Sequence, residues 1–212
     1  MKMLIAVFLI GTAVSLRVDG QTNSVLPAGT SGQTVETIVC FRHGEKPHGG
    51  LGQLTCRGLN RALALPKVLL GKYGSPQFLF APNPTQKVDG TGGAPDFYYV
   101  RPLATIEPTA IRCGLPVNTQ FGFREINGLE SELQKQDYRN ATVFVAWEHG
   151  MLDEFVKDLL KTNGGSPAQV PAWPEDDYDT IFLVKITYSA GSESVVFDID
   201  HEGLDHLSDT CP

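Results

Sequence analysis

The sequence predicts an α/β protein: a mostly parallel sheet flanked by helices on both faces, closed at its C-terminal end by a β-hairpin. Three observations carry this. Short, β-branched apolar runs alternate with helix-length amphipathic segments. Two of those runs stop at a histidine followed by glycine. The last apolar stretch, DTIFLVKITYSAGSESVVFDID, reads as two strands around a glycine-containing turn.

Taken in order, the first strand contains Val35, Ile38, Val39, Cys40 and Phe41, a short apolar run that suits a buried strand, and it stops at Arg42-His43-Gly44. In α/β proteins the loop beyond the carboxyl end of such a strand is where ligands usually bind. Thr55 then serves as N-cap of a helix reaching about Leu70, in which Leu59, Ala62 and Leu63 recur at helical spacing and Pro66 marks a place for a kink. Phe78, Leu79, Phe80 and Ala81 form a second buried strand. The PNPTQKVDGTGGAPD that follows is rich in proline and glycine and predicts a loop with no regular element. A helix begins at Pro102 and reaches about Cys113. The third buried strand, ATVFVAW, ends at Glu148-His149-Gly150, and a helix follows with Leu152, Phe155, Val156, Leu159 and Leu160 on one face. Without an internal repeat or a linker, residues 35–212 read as one domain, with 21–34 as a loose lead-in.

The first twenty residues differ from the rest. Lys2 precedes an apolar stretch from Met3 to about Val14, followed by small and polar residues, the pattern of a secretory signal peptide too short for a membrane span. Cleavage after Gly20 or after Ser15 fits, and the mature protein is expected to be exported. In that oxidising setting Cys40, Cys56, Cys113 and Cys211 form an even set with three pairings open. At least one disulfide is expected, with Cys211 tethering the tail to a partner that the sequence does not choose. Cys40, inside a strand, also suits a buried free thiol. Asn140-Ala141-Thr142 is an N-glycosylation sequon.

Composition narrows the function classes. The chain has 212 residues, with 24 Asp and Glu against 17 Lys and Arg, a net charge of −7 and no basic run, which argues against nucleic acid as a partner. No Cys or His spacing suggests zinc. His48, His201 and His206 stand apart from other chemistry-bearing residues, and the acidic tail around the last two reads as a solvated loop. The oligomeric state is not legible.

Two strands therefore end alike, one at Arg42-His43-Gly44 and the other at Glu148-His149-Gly150. In a parallel sheet both ends lie on one edge, and each following glycine lets the backbone approach a ligand. Two histidines with arginines nearby fit a site where an imidazole nitrogen attacks phosphorus and guanidinium groups hold the oxygens. Phe41-Arg42-His43-Gly44-Glu45-Lys46-Pro47, with Leu54, Thr55, Gly58, Arg61 and Ala62 behind it, resembles the start of the histidine phosphatase superfamily, whose fold is phosphoglycerate mutase-like. Ala81-Pro82 matches that family's second strand end. Arg101 and Thr105 match its Arg-x-x-x-Thr helix start, and His149 its second histidine. The likeness spans about residues 35–160, with the motifs in order. One departure is an insertion at residues 85–100, which suggests a wall or lid over the pocket.

The resemblance implies a secreted phosphatase that hydrolyses small phosphomonoesters through a phosphohistidine. His43 would be the nucleophile, Arg42 and Arg101 the phosphate clamp, and His149 a further phosphate contact. In many members a glutamate between the third motif and the second histidine protonates the leaving oxygen. Glu125 ranks first here, with Glu130 and Glu132 behind it and Glu45 and Glu148 competing. No cofactor or metal is implied, since arginines supply the positive charge. A mutase-like phosphotransferase and a non-catalytic protein that binds phosphate or a phosphorylated ligand are the alternative readings.

Overall fold

The computed structural model describes residues 32–49, 51–90 and 95–212; the expected leader at 1–20 and most of the 21–34 segment lie outside them. In chain order the elements are β1 (Thr34–Arg42), α1 (Cys56–Tyr73), β2 (Phe78–Phe80), β3 (Lys87–Val88), β4 (Phe97–Tyr98), α2 (Arg101–Cys113), β5 (Val117–Asn118), α3 (Ile126–Leu133), β6 (Thr142–Trp147), α4 (His149–Thr162), β7 (Thr180–Ser189) and β8 (Ser192–His201).

The main sheet has the order β5-β2-β6-β1-β7-β8. The first four strands are parallel, and β7 and β8 add the expected antiparallel hairpin. Because side chains alternate along a strand, each central strand feeds two layers. Val39, Phe41, Phe144 and Ala146 pack with Leu65 and Leu69 of α1 and Ile106 and Ala110 of α2. Ile38, Cys40, Val143, Val145 and Trp147 pack on the other face with Leu129 and Leu133 of α3 and Phe155 and Leu159 of α4. The predicted α/β architecture, with helices on both faces, is the observed one.

Two local expectations need correction, and two short elements lie where none was expected. Of the residues that recur at helical spacing in α1, Ala62 is buried, Leu59 and Leu63 are exposed, and Arg61 is buried. The helix is rotated so that Gly58 meets the turn after β1 and Arg61 reaches buried carboxylates, and it runs unbroken through Pro66. The Pro/Gly-rich insertion is not wholly irregular either, for Lys87-Val88 and Phe97-Tyr98 pair as a small antiparallel ribbon. Two-residue strands are too short to show any periodicity. Finally, α3 and β5 were not anticipated, because eight and two residues give little pattern.

The ribbon is fastened to the loop after β1. Gly52 accepts hydrogen bonds from the N–H groups of Val100 (3.1 Å) and Arg101 (2.9 Å). Its φ is +72°, and a Cβ there would lie 1.9 Å from the Tyr98 carbonyl oxygen, so only glycine fits. The tail is fixed by a Cys56–Cys211 disulfide, as expected for Cys211, while Cys40 is a buried free thiol and Cys113 is also free.

Candidate active site

Parallel pairing of β1 with β6 puts Arg42 opposite Trp147, and the His43 N–H donates to the Trp147 carbonyl at 2.9 Å. The two His-Gly turns therefore leave the sheet side by side at its C-terminal edge. His43 is only 1% exposed. Its Nδ1 lies 2.7 Å from the Gly44 carbonyl oxygen. A carbonyl can only accept, so Nδ1 carries the hydrogen and Nε2 keeps its lone pair. Burial, then the Arg101 guanidinium, and to a lesser degree Arg42, push the imidazole well below its ordinary pKa, against the opposing pull of the Gly44 carbonyl and Glu148. The ring is neutral at physiological pH, as a nucleophile must be.

The sequence motifs around this histidine are packing devices. A Cβ on Gly44 would sit 2.8 Å from the Gly58 carbonyl oxygen, and one on Gly58 would sit 2.5 Å from that of Glu45. Thr55 caps α1 by accepting from the Gly58 N–H, and its own N–H donates to the Glu45 carbonyl at 2.8 Å. Leu-Thr-x-x-Gly is thus the first turn of α1 docking on the His43 turn. Thr105 accepts from the Gly44 N–H (2.9 Å) and donates to the Arg101 carbonyl (2.8 Å). Four residues separate Arg101 from Thr105 because that bond spans one helical turn.

Arg42 is fully buried. Its Nη1 donates to the carbonyl oxygens of Glu175 (2.6 Å), Asp177 (2.8 Å) and Pro174 (3.5 Å), and the Tyr178 ring centroid lies 3.9 Å from Cζ. Nε and Nη2 are buried and have no hydrogen-bond partner among the described residues. Arg101, the first residue of α2, is 5% exposed, with its Cζ 4.7 Å from the Tyr99 ring centroid and 5.3 Å from that of Phe97.

Glu148 caps α4 by accepting from the Met151 N–H at 2.9 Å, and its Oε1 is 2.5 Å from His149 Nδ1. Burial would raise this carboxyl, but His149 and the Met151 and Gly150 N–H groups outweigh it and hold the pKa at about 2. The half-buried His149 ring therefore lies against the Glu148 carboxylate at the start of α4.

A cleft of about 1020 Å³ adjoins this turn, lined by Arg101, Glu148, Lys46, Tyr99 and Tyr178 among others. Arg42, His43 and His149 are not among its lining residues, and Arg42 and His43 lie behind them. The His43 ring lies 6.0 Å from Tyr99 and 6.2 Å from Tyr178, centroid to centroid. Two carboxylates weighed for proton donation are placed elsewhere. Glu125 is exposed, is absent from the cleft lining, and accepts from the Gly122 N–H at 2.7 Å. Glu45 is bound to Arg61 at 2.8 Å. The insertion supplies Val88, Asp89, Gly90, Phe97 and Tyr99 to the cleft, so it forms part of the wall. Sequence reasoning missed Tyr178 and the backbone of 174–177. Their signal was slight, an aromatic in a Pro-rich stretch before a strand.

No family model matches the chain, and no curated protein matches its sequence. Solved structures do. A SixA phosphohistidine phosphatase candidate from Nakamurella multipartitia superposes with a TM-score of 0.54 at 14% identity, over 79% of this chain and 96% of that one. The fold is phosphoglycerate mutase-like. A mycobacterial glucosyl-3-phosphoglycerate phosphatase, in complex with inorganic phosphate, gives 0.53 at 15% identity over 77% and 95% of the two chains. Phosphoglycerate mutase from Plasmodium falciparum gives 0.50 at 12% identity over 82% and 95%. At such identities the phosphoglycerate mutase-like likeness is one of fold, shared with phosphatases and mutases alike.

Proposed function

We propose that the protein is a histidine phosphatase that hydrolyses small phosphomonoesters through a phosphohistidine on His43, with Arg42, Arg101 and His149 holding the phosphoryl oxygens. The observation that carries the reading is the pairing of a neutral His43, whose Nε2 keeps its lone pair, with a buried Arg42 whose Nε and Nη2 lack partners among the described residues. A permanently charged guanidinium buried with open donors is costly unless an anion completes it. The Nε2 lone pair attacks phosphorus and the P–O bond to the leaving group breaks. Water then attacks the phosphohistidine, the P–N bond breaks, phosphate leaves, and the lone pair returns to Nε2. One proton of that water ends on the leaving oxygen, so ester plus water gives alcohol plus phosphate. Glu125 takes no part in this reading, and Glu125→Gln should keep turnover within about twofold. No cofactor is required. The Cys56–Cys211 disulfide supports the exported location that the leader sequence suggests.

His43→Ala tests the reading. Turnover of 4-nitrophenyl phosphate should fall by several orders of magnitude with the fold intact by circular dichroism, and rapid quenching of the wild type should trap acid-labile phosphate on His43. A variant that keeps more than about a tenth of the rate would remove the covalent intermediate.

A further inference from the structure

We propose that the cleft takes monoesters of phenols, with a flat aromatic leaving group against Phe97, Phe123 and Tyr178 while the phosphoryl group sits at His43; this rests on the phosphatase reading above. Aromatic rings run outward from the nucleophile. Tyr99 lies edge-on to His43, and Phe123 is T-shaped to Tyr99 with centroids 4.9 Å apart. Tyr99 is almost wholly buried, whereas Phe97, Phe123 and Tyr178 are half-buried and line the cleft, so they present apolar surface that a flat ring would cover. Their positions are set by the fold. Phe97 belongs to β4, Trp147 Nε1 donates to the Phe123 carbonyl at 3.0 Å, and Tyr178 stacks on Arg42.

Leaving-group chemistry points the same way. Of the four carboxylates that line the cleft, Glu148 accepts from the Met151 N–H and lies against His149, and Asp89 pairs with Arg124 at 3.1 Å. Glu175 and Asp176 also line it. An alkoxide would depend on one of these two for a proton, whereas a phenolate, whose acid ionises at about pH 10 like the tyrosine side chain, departs without one and collects its proton from water afterwards.

The test compares kcat/KM for 1-naphthyl phosphate, phenyl phosphate and glycerol 3-phosphate in the wild type and in Phe97→Leu/Phe123→Leu. Naphthyl phosphate should exceed glycerol 3-phosphate by at least about a hundredfold in the wild type. The naphthyl-to-phenyl ratio should drop at least about fivefold in the variant, a comparison that cancels leaving-group reactivity and any loss of folded enzyme. Glycerol 3-phosphate turned over as well as the aryl esters, or an unchanged naphthyl-to-phenyl ratio, would overturn this inference while the phosphatase reading stands. Failure to turn over any of the three would overturn both.

Discussion

Two buried arginines flank the His43 turn in opposite states. Arg61 reaches Glu45 (2.8 Å), Glu202 (2.5 Å), Asp205 (3.3 Å) and Asp179 (3.6 Å), so every face of its fork meets a carboxylate. It joins the turn after β1 to the tail, which Cys56–Cys211 and the bonds from Asn60 to the Ser208 and Thr210 carbonyls also hold. Among the described residues no carboxylate accepts a hydrogen bond from Arg42. Three carbonyls occupy Nη1, and Nε and Nη2 stay open. The carbonyls fix the orientation of the fork without neutralising it, and under the proposed function that charge meets the phosphoryl group. Completed pairing marks an arginine that holds the structure together; a half-filled fork in a fixed pose marks one kept for an anion.

The sharpest way to break this comparison is to change both. Arg61→Gln strands Glu202 and Glu45 without their cation and should cost about 3–5 kcal/mol, read from the urea midpoint. Arg42→Gln should lower kcat/KM about a hundredfold to a thousandfold, the loss typical of removing one charge-stabilising donor, with a far smaller change in midpoint. If Arg42→Gln destabilises as much as Arg61→Gln, Arg42 serves the fold and the distinction fails.

The same contrast explains what the sequence made legible. Arg42, His43 and His149 could be read because each ends an apolar run or follows one, and sheet topology converts that into a shared edge. Arg101 and Thr105 could be read because one helical turn fixes their spacing. The strap that orients Arg42 could not, since its contacts are backbone carbonyls of Pro174, Glu175 and Asp177, and carbonyls carry no sequence signature. Arg61 belongs to the motif that carries the family resemblance, but the motif does not say what its side chain meets. Its four acidic partners lie in the turn after β1 and in residues 179–205, separations that no local periodicity reports. Glu125 stood in the right stretch by resemblance, but a turn at Gly122 claims its carboxylate, and a side chain's hydrogen bond to a nearby N–H is invisible to motif order.

A third buried charge sharpens the comparison. Glu36, wholly buried near the start of β1, accepts from the Tyr188 hydroxyl at 2.9 Å through Oε2, while Oε1 has no partner among the described residues. An open buried atom is therefore not by itself the mark of a binding site; what matters is whether the group can shed its charge. Arginine cannot. Glu36 can, and burial raises its pKa from 4.5 to about 7 against the opposing effects of Tyr188 and Arg139. A carboxyl raised in the fold binds more protons there than in the unfolded chain between those two values. Its stabilising contribution is complete below about pH 4.5 and is lost as pH rises through about 7. At 1.36 kcal/mol per pKa unit the swing is on the order of 3 kcal/mol. Glu36→Gln, neutral at every pH and able to keep the Tyr188 bond, should remove that slope, so its Tm relative to the wild type should rise between pH 5 and pH 8. Parallel Tm curves over that range would mean that Glu36 does not change its charge there, and its open oxygen would then need a partner just as Arg42 does.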